Sequence, residues 1–188
     1  MAKPDFLTIF LLLLVLNKSF SLAATAQGGE SLISKACRKE TDYPDLCIST
    51  LEANDVSKKA KSYESLCGAA MVVLKSQLEK AYLFVTESLA KQTNSTPSET
   101  NSKTKTQIQG CADGFQHAIR RINDGITAFD KKNYEDTYSK INTLIFESLD
   151  ECKVKRLDMF QNLNDVTDAF ANVVLSLLEN LVPAFDKY

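Results

Sequence analysis

Five cysteines are the residues of this chain whose type and spacing most directly suggest chemistry: Cys37, Cys47, Cys67, Cys111 and Cys152. The midpoint of the first two is residue 42, inside the segment 41–44, where Thr, Asp and Pro favour a turn. The midpoint of Cys111 and Cys152 falls in the polar segment 130–133. Residues equidistant from the turn of an antiparallel hairpin lie side by side. The spacing therefore predicts the disulfides Cys37–Cys47 and Cys111–Cys152, each bridging its own hairpin.

Two other side chains, Cys67 and Asn94, invite a chemical interpretation. Cys67 is left without a partner and falls on the apolar side of a predicted helix. We interpret it as a buried free thiol that packs like a small hydrophobic residue; the alternative is a reactive or intermolecular cysteine. Asn94 begins the sequon Asn-Ser-Thr in a polar segment, which makes it a candidate for N-glycosylation, although Pro97 directly after the sequon disfavours occupancy.

Residues that could support catalysis or bind a metal do not form a recognisable set. His117 is the one histidine of the chain, and no second His or Cys stands at ligand spacing, so we expect a solvated surface side chain. Glu147, Asp150 and Glu151 would suit a di-iron bundle, but the Glu-x-x-His pairs of such sites are missing. No nucleophile elbow or triad order occurs. The sequence therefore predicts a protein that is not an enzyme and has no cofactor and no metal.

The charge balance excludes a further class of function. Among 188 residues, 22 Lys and Arg stand against 24 Asp and Glu, which leaves a net charge of −2 at pH 7. Because nucleic-acid-binding domains are usually strongly basic, we expect no nucleic-acid partner. The hydrophobic fraction of 44% allows one globular domain with a real core and excludes a disordered chain.

The N-terminal segment has the features of a secretory signal peptide. Lys3 precedes an apolar run at residues 6–16, which is too short to span a membrane as a helix. Residues 24–26, Ala-Thr-Ala, offer the small-x-small cleavage pattern. We expect residues 1–26 to be removed and residues 27–188 to form a single domain. No second long apolar run follows, so we expect a secreted protein with no membrane partner.

Apolar side chains spaced three and four residues apart predict helices throughout the remaining chain. Two short helices, at residues 31–38 and 45–53, flank the turn at Pro44 and form a hairpin over about 31–54, with Asp42 or Thr41 as cap of the second. After a polar link at 54–61, longer helices are predicted at 62–91, 107–129, 134–155 and 164–181, with a solvated loop at 92–103. The expected inward stripe of the helix at 62–91 is Cys67, Ala70, Leu74, Leu78, Ala81 and Val85. That of the last helix is Val166, Phe170, Val173, Leu177 and Leu181. The fold class is all-α: an up-down-up-down four-helix bundle, over about 62–181, preceded by a short N-terminal helical hairpin.

With these elements in place, the sequence resembles the plant invertase and pectin methylesterase inhibitor family. The run Cys37-x3-Thr41-x-Tyr43-Pro44-x2-Cys47-x3-Leu51 is similar to the family's opening signature, and residues 111–115, Cys-Ala-Asp-Gly-Phe, resemble the segment around its third disulfide cysteine. Cys152 falls where the fourth would. The resemblance covers essentially the whole mature chain.

The resemblance implies an inhibitor that binds its target enzyme reversibly, non-covalently and one to one through the outer surface of the bundle, and that is a monomer when unbound. It implies a location in the apoplast or cell wall, with the vacuole as the alternative. Some invertase inhibitors carry a Pro-Lys-Phe tripeptide, which is absent here, so pectin methylesterase is the favoured target and acid invertase the alternative. A bundle that carries a small hydrophobic ligand is a second alternative, and an enzyme a distant third.

The residues that contact the target are not assigned by the sequence. Most charged side chains on a bundle are simply solvated, and three basic clusters stand out: Arg120-Arg121, Lys131-Lys132 and Lys153-x-Lys155-Arg156. If one of these clusters is functional, an acidic enzyme or the uronate of pectin would be its natural partner.

Overall fold

The computed structural model describes residues 30–93, 99–145 and 158–182. Within these ranges the chain is helical and contains no strand. The helices are α1 Leu32–Glu40, α2 Pro44–Glu52, α3 Asp55–Lys58, α4 Tyr63–Thr93, α5 Glu99–Asp130, α6 Tyr134–Thr143 and α7 Asp158–Glu179. The all-α fold class is confirmed. Residues 1–26, the predicted signal peptide, lie outside the described residues.

The short helices begin where the sequence offers a cap or a proline. The Ser31 hydroxyl accepts from the Ser34 N–H at 3.1 Å and starts α1, and the Asn54 carboxamide accepts from Val56 and Ser57 and starts α3. Helix α2 begins directly at Pro44, after Tyr43, and no side chain caps it. The expected cap at Asp42 or Thr41 is therefore wrong. The Thr41 hydroxyl instead donates to the Cys37 carbonyl at 3.0 Å and closes the end of α1.

Helices α4 to α7 form the four-helix bundle. Helix α4 packs along α5 and α7, and α6 packs against the other sides of α5 and α7. Helices α4 and α7 run antiparallel, because the Tyr63 hydroxyl reaches the Leu177 carbonyl at one end and Phe84 meets Phe160 edge to face at the other. The inward stripe predicted for α4 is fully buried: Cys67, Ala70, Leu74, Leu78, Ala81 and Val85.

Three connecting segments differ from the predicted boundaries. The link at 54–61 contains the single turn α3, α5 starts at Glu99 instead of residue 107, and α7 starts at Asp158 instead of residue 164. Polar residues cost a helix well under about 1 kcal/mol each relative to Ala, and no Gly or Pro interrupts residues 99–107. The acidic residues Glu99 and Asp158 also suit a helix N-terminus. The predicted loop at 92–103 is thus helical where it is described, and residues 94–98 lie outside the described residues.

One stripe position of α7 was predicted wrongly. Val166, expected in the core, is 50% exposed, whereas Val173, one heptad further on, is fully buried. Helix α1 and helix α2 both pack against α7, and Asn180, a second heptad on, hydrogen-bonds Glu40 of α1. The hairpin therefore covers the C-terminal part of this side of α7 and leaves Val166 open.

The hairpin is attached to the bundle by a polar junction of Glu40, Tyr63 and Asn180. The Asn180 carboxamide donates to the Glu40 carboxylate at 2.9 Å and to the Tyr63 oxygen at 3.1 Å, while Tyr63 donates to the Leu177 carbonyl at 3.0 Å. Burial, and then the nearby Cys67 and Glu40, raise the pKa of Tyr63 well above its usual range, so its hydroxyl stays protonated as a donor. The junction thereby fixes the end of α1 against both terminal helices of the bundle.

Gly125 permits a close approach between helices of the bundle. A Cβ atom at this position would lie 3.1 Å from Ile141 Cδ1 of α6 and 3.5 Å from Met71 Cε of α4. The absence of a side chain at Gly125 therefore lets the side chains of α6 and α4 pack directly against the backbone of α5.

We expect Gly125→Val to destabilise the protein by about 1–3 kcal/mol, because its methyl groups would displace Ile141 and Met71 from a packed core. Urea unfolding monitored by circular dichroism measures this free energy. Thr127→Val, at an exposed position of the same helix, is the control and should change stability by less than about 0.5 kcal/mol. Equal stability of the two variants would contradict the close packing described here.

Candidate functional site

The hairpin contains the predicted disulfide between Cys37 and Cys47. The two Cα atoms are 5.6 Å apart, and both residues, one on each helix of the hairpin, are fully buried. Closing this ten-residue separation removes chain entropy from the unfolded state and is worth roughly 3 kcal/mol as an upper figure. Cys111 is also disulfide-bonded. Cys152, its predicted partner, lies outside the described residues, so that pairing stays a prediction.

Cys67 is a free cysteine buried in the bundle, with 1% of its surface exposed. Desolvation, followed by the negative charge of Glu64, raises the pKa of its thiol well above the ordinary value. A protonated, inaccessible thiol is a poor nucleophile. The geometry therefore favours the structural role of Cys67 over the reactive one.

Thiol counting tests both the free cysteine and the second disulfide. Without reductant, the native protein should react only slowly with a thiol reagent such as DTNB, because Cys67, the free thiol among the described residues, is buried. In denaturant, one thiol per chain should react. Three reactive thiols would contradict the Cys111–Cys152 pairing, and rapid labelling of the native protein would contradict the burial of Cys67.

A second polar cluster of Glu64, Lys132 and Tyr134 joins the start of α4 to the turn between α5 and α6. Lys132 adopts a left-handed conformation with φ of 61°. Its N–H donates to the Phe129 carbonyl and the Asn133 N–H to the Ala128 carbonyl, which closes α5 in a Schellman motif. The Lys132 ammonium and the Tyr134 hydroxyl, the latter at 2.6 Å, both donate to one oxygen of Glu64.

This cluster makes stability depend on pH. The hydrogen bond from Lys132, and then that from Tyr134, hold the pKa of the Glu64 carboxyl below its ordinary value of 4.5. Because the folded pKa is lower than the unfolded one, the stabilisation is complete above the unfolded value and is lost as the pH falls through the folded one. The three side chains are 68 and 70 residues apart along the sequence, so no local pattern could have predicted them.

We expect Glu64→Gln to lower the melting temperature at about pH 7 and to have a progressively smaller effect as the pH falls below about 4. Thermal unfolding of both proteins across this range gives the difference directly. Glu87→Gln, at an exposed position of the same helix, is the matched control and should show no such trend. A difference for Glu64→Gln that stays constant down to pH 3 would contradict the charged contact.

The other residues singled out by the sequence do not converge on one site. His117 and Arg120 are exposed on α5, Arg121 is half-buried, and Lys131 is exposed in the following turn. The structure groups no three His, Cys, Asp or Glu side chains around a possible metal position, as far as the described residues extend. The remaining candidates lie outside the described residues: Asn94, Glu147, Asp150, Glu151, Lys153, Lys155 and Arg156.

The structure reveals an apolar outer side of α4 whose residues lie outside the predicted inward stripe. Val72, Leu83 and Phe84 expose 48%, 58% and 49% of their surface, and Phe84 rests edge-on against the buried Phe160. The signal was present in the sequence, because apolar residues of α4 occur all around the helix and not only on one side. Surfaces with aromatic and aliphatic side chains of this kind suit contact with another molecule better than chemistry.

In the described part of the chain, the features available for a function are the disulfide-linked helices of the hairpin and the outer surface of the bundle. The strongly raised pKa values belong to Tyr63 and Cys67, and the pKa of Glu64 is lowered; all three residues lie in the first turns of α4. The cavity between the hairpin and α3 is lined by none of them. Among the described residues, no helix has both the length and the apolar character that crossing a membrane requires.

Comparison with known proteins identifies a family and a solved structure with a similar fold. A family model described as Plant invertase/pectin methylesterase inhibitor matches residues 31–176. Among solved structures, the chain is similar to the crystal structure of mutant form A of a pectin methylesterase inhibitor from Arabidopsis. The TM-score is 0.62 at 15% sequence identity, with 80% of this chain and 97% of that chain covered. At this identity the likeness shows the fold. A comparison with curated proteins gives no match.

Proposed function

Because this chain belongs to the plant invertase/pectin methylesterase inhibitor family, we propose that it is a secreted protein inhibitor of a cell-wall carbohydrate enzyme, with pectin methylesterase as its target. The observation that carries the proposal is the family match over residues 31–176, which spans both the stapled hairpin and the bundle. The alternative target is acid invertase. The absence of a Pro-Lys-Phe tripeptide favours pectin methylesterase.

The proposed mechanism is steric and requires no chemistry by the inhibitor. The folded bundle binds the enzyme non-covalently, one to one, and covers its substrate cleft. A preorganised protein loses little conformational entropy on binding, since the core fixes the helices of the bundle and the Cys37–Cys47 disulfide links those of the hairpin. Each of the four bundle helices contributes fully buried core side chains, such as Leu74, Phe115, Ile141 and Phe170. This packing argues against the alternative of a carrier with a hydrophobic ligand inside the bundle.

The outer surface supplies two kinds of contact for such a complex. Helix α5 presents charged side chains such as Arg120 and Asp124, and α4 presents the apolar Leu83 and Phe84. Interfaces between soluble partners commonly combine an apolar centre with a polar rim. Charged contacts would make the affinity depend on salt and pH, as expected for a protein that works in an acidic, anionic cell wall.

The proposal includes the route to that compartment. Residues 1–26 act as a signal peptide, residues 27–188 remain as a monomer, and Asn94 is available for glycosylation on the way. Secretion also supplies the oxidising environment in which the disulfides form.

The experiment that tests the function is a paired titration. The purified, oxidised chain is added separately to a plant pectin methylesterase and to a plant acid invertase at mildly acidic pH. We expect stoichiometric loss of pectin methylesterase activity and unchanged invertase activity. Reduced and alkylated chain is the control, and it should lose inhibition because the hairpin is no longer stapled.

The outcomes separate the target from the function. Inhibition of invertase alone would replace the proposed target while keeping the inhibitor role. Full activity of both enzymes in the presence of excess, disulfide-intact protein would contradict the proposed function.

A further inference from the structure

An open cavity of about 380 Å³ lies where the start of α1, the end of α2 and α3 meet. Its volume falls within the range of about 300–1,000 Å³ that is typical of small-molecule sites. Seven residues line it: Ser31, Leu32, Ile33, Glu52, Ser57, Lys58 and Ala60. The cavity belongs to the hairpin end of the molecule and is separate from the outer face of α4.

The aliphatic part of the lining comes from Leu32, Ile33 and Ala60. Ile33 is 5% exposed and belongs to the hydrophobic core, while Leu32 and Ala60 are half-buried and pack against it. These side chains give the cavity an apolar wall anchored in the core. An aliphatic group of a ligand would remove this wall from water, which is favourable at about 25 cal/mol for each Å² buried.

The polar part of the lining carries both signs of charge. Glu52 makes no hydrogen bond or ion pair with the described residues, so its carboxylate can receive a cation. Lys58 pairs with Asp55 at 2.7 Å but keeps half of its side chain exposed, so further donors of its ammonium remain accessible.

The two hydroxyls of the lining differ in whether they can donate a hydrogen bond to a ligand. The Ser31 oxygen accepts from the Ser34 N–H, which leaves its own hydrogen available for donation. The Ser57 hydroxyl already donates to Asn54 within the α3 turn and is 1% exposed. Ser31 and Lys58 are therefore the two donors for an anionic group, and Glu52 is the acceptor for a cationic one.

We propose that this cavity binds a small zwitterion with an aliphatic side chain, an α-amino acid of about leucine size. Its ammonium pairs with Glu52, its carboxylate accepts from Lys58 and Ser31, and its side chain lies on Leu32, Ile33 and Ala60. Such a ligand touches α1, α2 and α3 at once, so its binding stabilises the docked hairpin. The site is independent of the proposed inhibitory function and does not require it.

An NMR titration of the isotope-labelled, oxidised chain with L-leucine tests the proposal. We expect saturable shifts of the amide signals of Ser31, Ile33 and Ala60. Isopentylamine lacks the carboxylate and 4-methylpentanoate lacks the ammonium, and each should bind about tenfold more weakly, the loss of one charged contact of about 1.4 kcal/mol.

Two variants keep the proposal falsifiable. Glu52→Gln and Lys58→Met should each weaken leucine binding about tenfold without changing the circular dichroism spectrum. Glu79→Gln, at an exposed position of α4 that does not line the cavity, should leave leucine binding unchanged. Absence of saturable shifts at tens of millimolar leucine would overturn the proposal. So would binding of either singly charged analogue as tight as that of leucine, or shifts unaffected by Glu52→Gln.

Discussion

The burial of apolar side chains on several sides of α4 is the interaction on which the packing of α5, α7 and the hairpin depends. One side carries the stripe that contains Leu74 and Leu78 and faces the bundle core. Gly68 lets Phe129 of α5 approach on a second side, and Phe84 meets Phe160 of α7 on a third. The hairpin packs against α4 and α7 near their shared end. Since hydrophobic burial is the dominant favourable term in folding, a change in α4 would disturb every neighbouring element.

Polar contacts then fix what hydrophobic burial leaves free. Burial alone is non-directional, so it does not determine how the hairpin is oriented on the end of the bundle. The junction of Glu40, Tyr63 and Asn180 supplies direction at one point, and the Cys37–Cys47 disulfide holds the two hairpin helices together. At the same end of α4, Glu64 ties the turn between α5 and α6 to the helix start. A surface built in this way is rigid before it meets a partner, which is the property that a protein inhibitor needs.

The sequence predicted the parts of this structure that depend on local spacing. Helical periodicity located the buried stripe of α4, and the midpoint between two cysteines predicted the Cys37–Cys47 bridge. Polar helix starts such as Glu99 were missed because a turn without apolar residues shows no periodicity. Val166 was placed in the core because a stripe pattern does not reveal where a covering element ends. The contact of Glu64 with Lys132 joins distant positions that no local pattern connects.

The proposed function requires this chain to bind another protein as a folded unit, without being consumed. Native mass spectrometry of an equimolar mixture of the oxidised chain and a plant pectin methylesterase tests it most directly. We expect a one-to-one complex that releases both components with unchanged masses when the enzyme is denatured. The absence of any complex, or an altered mass of either component after release, would contradict it.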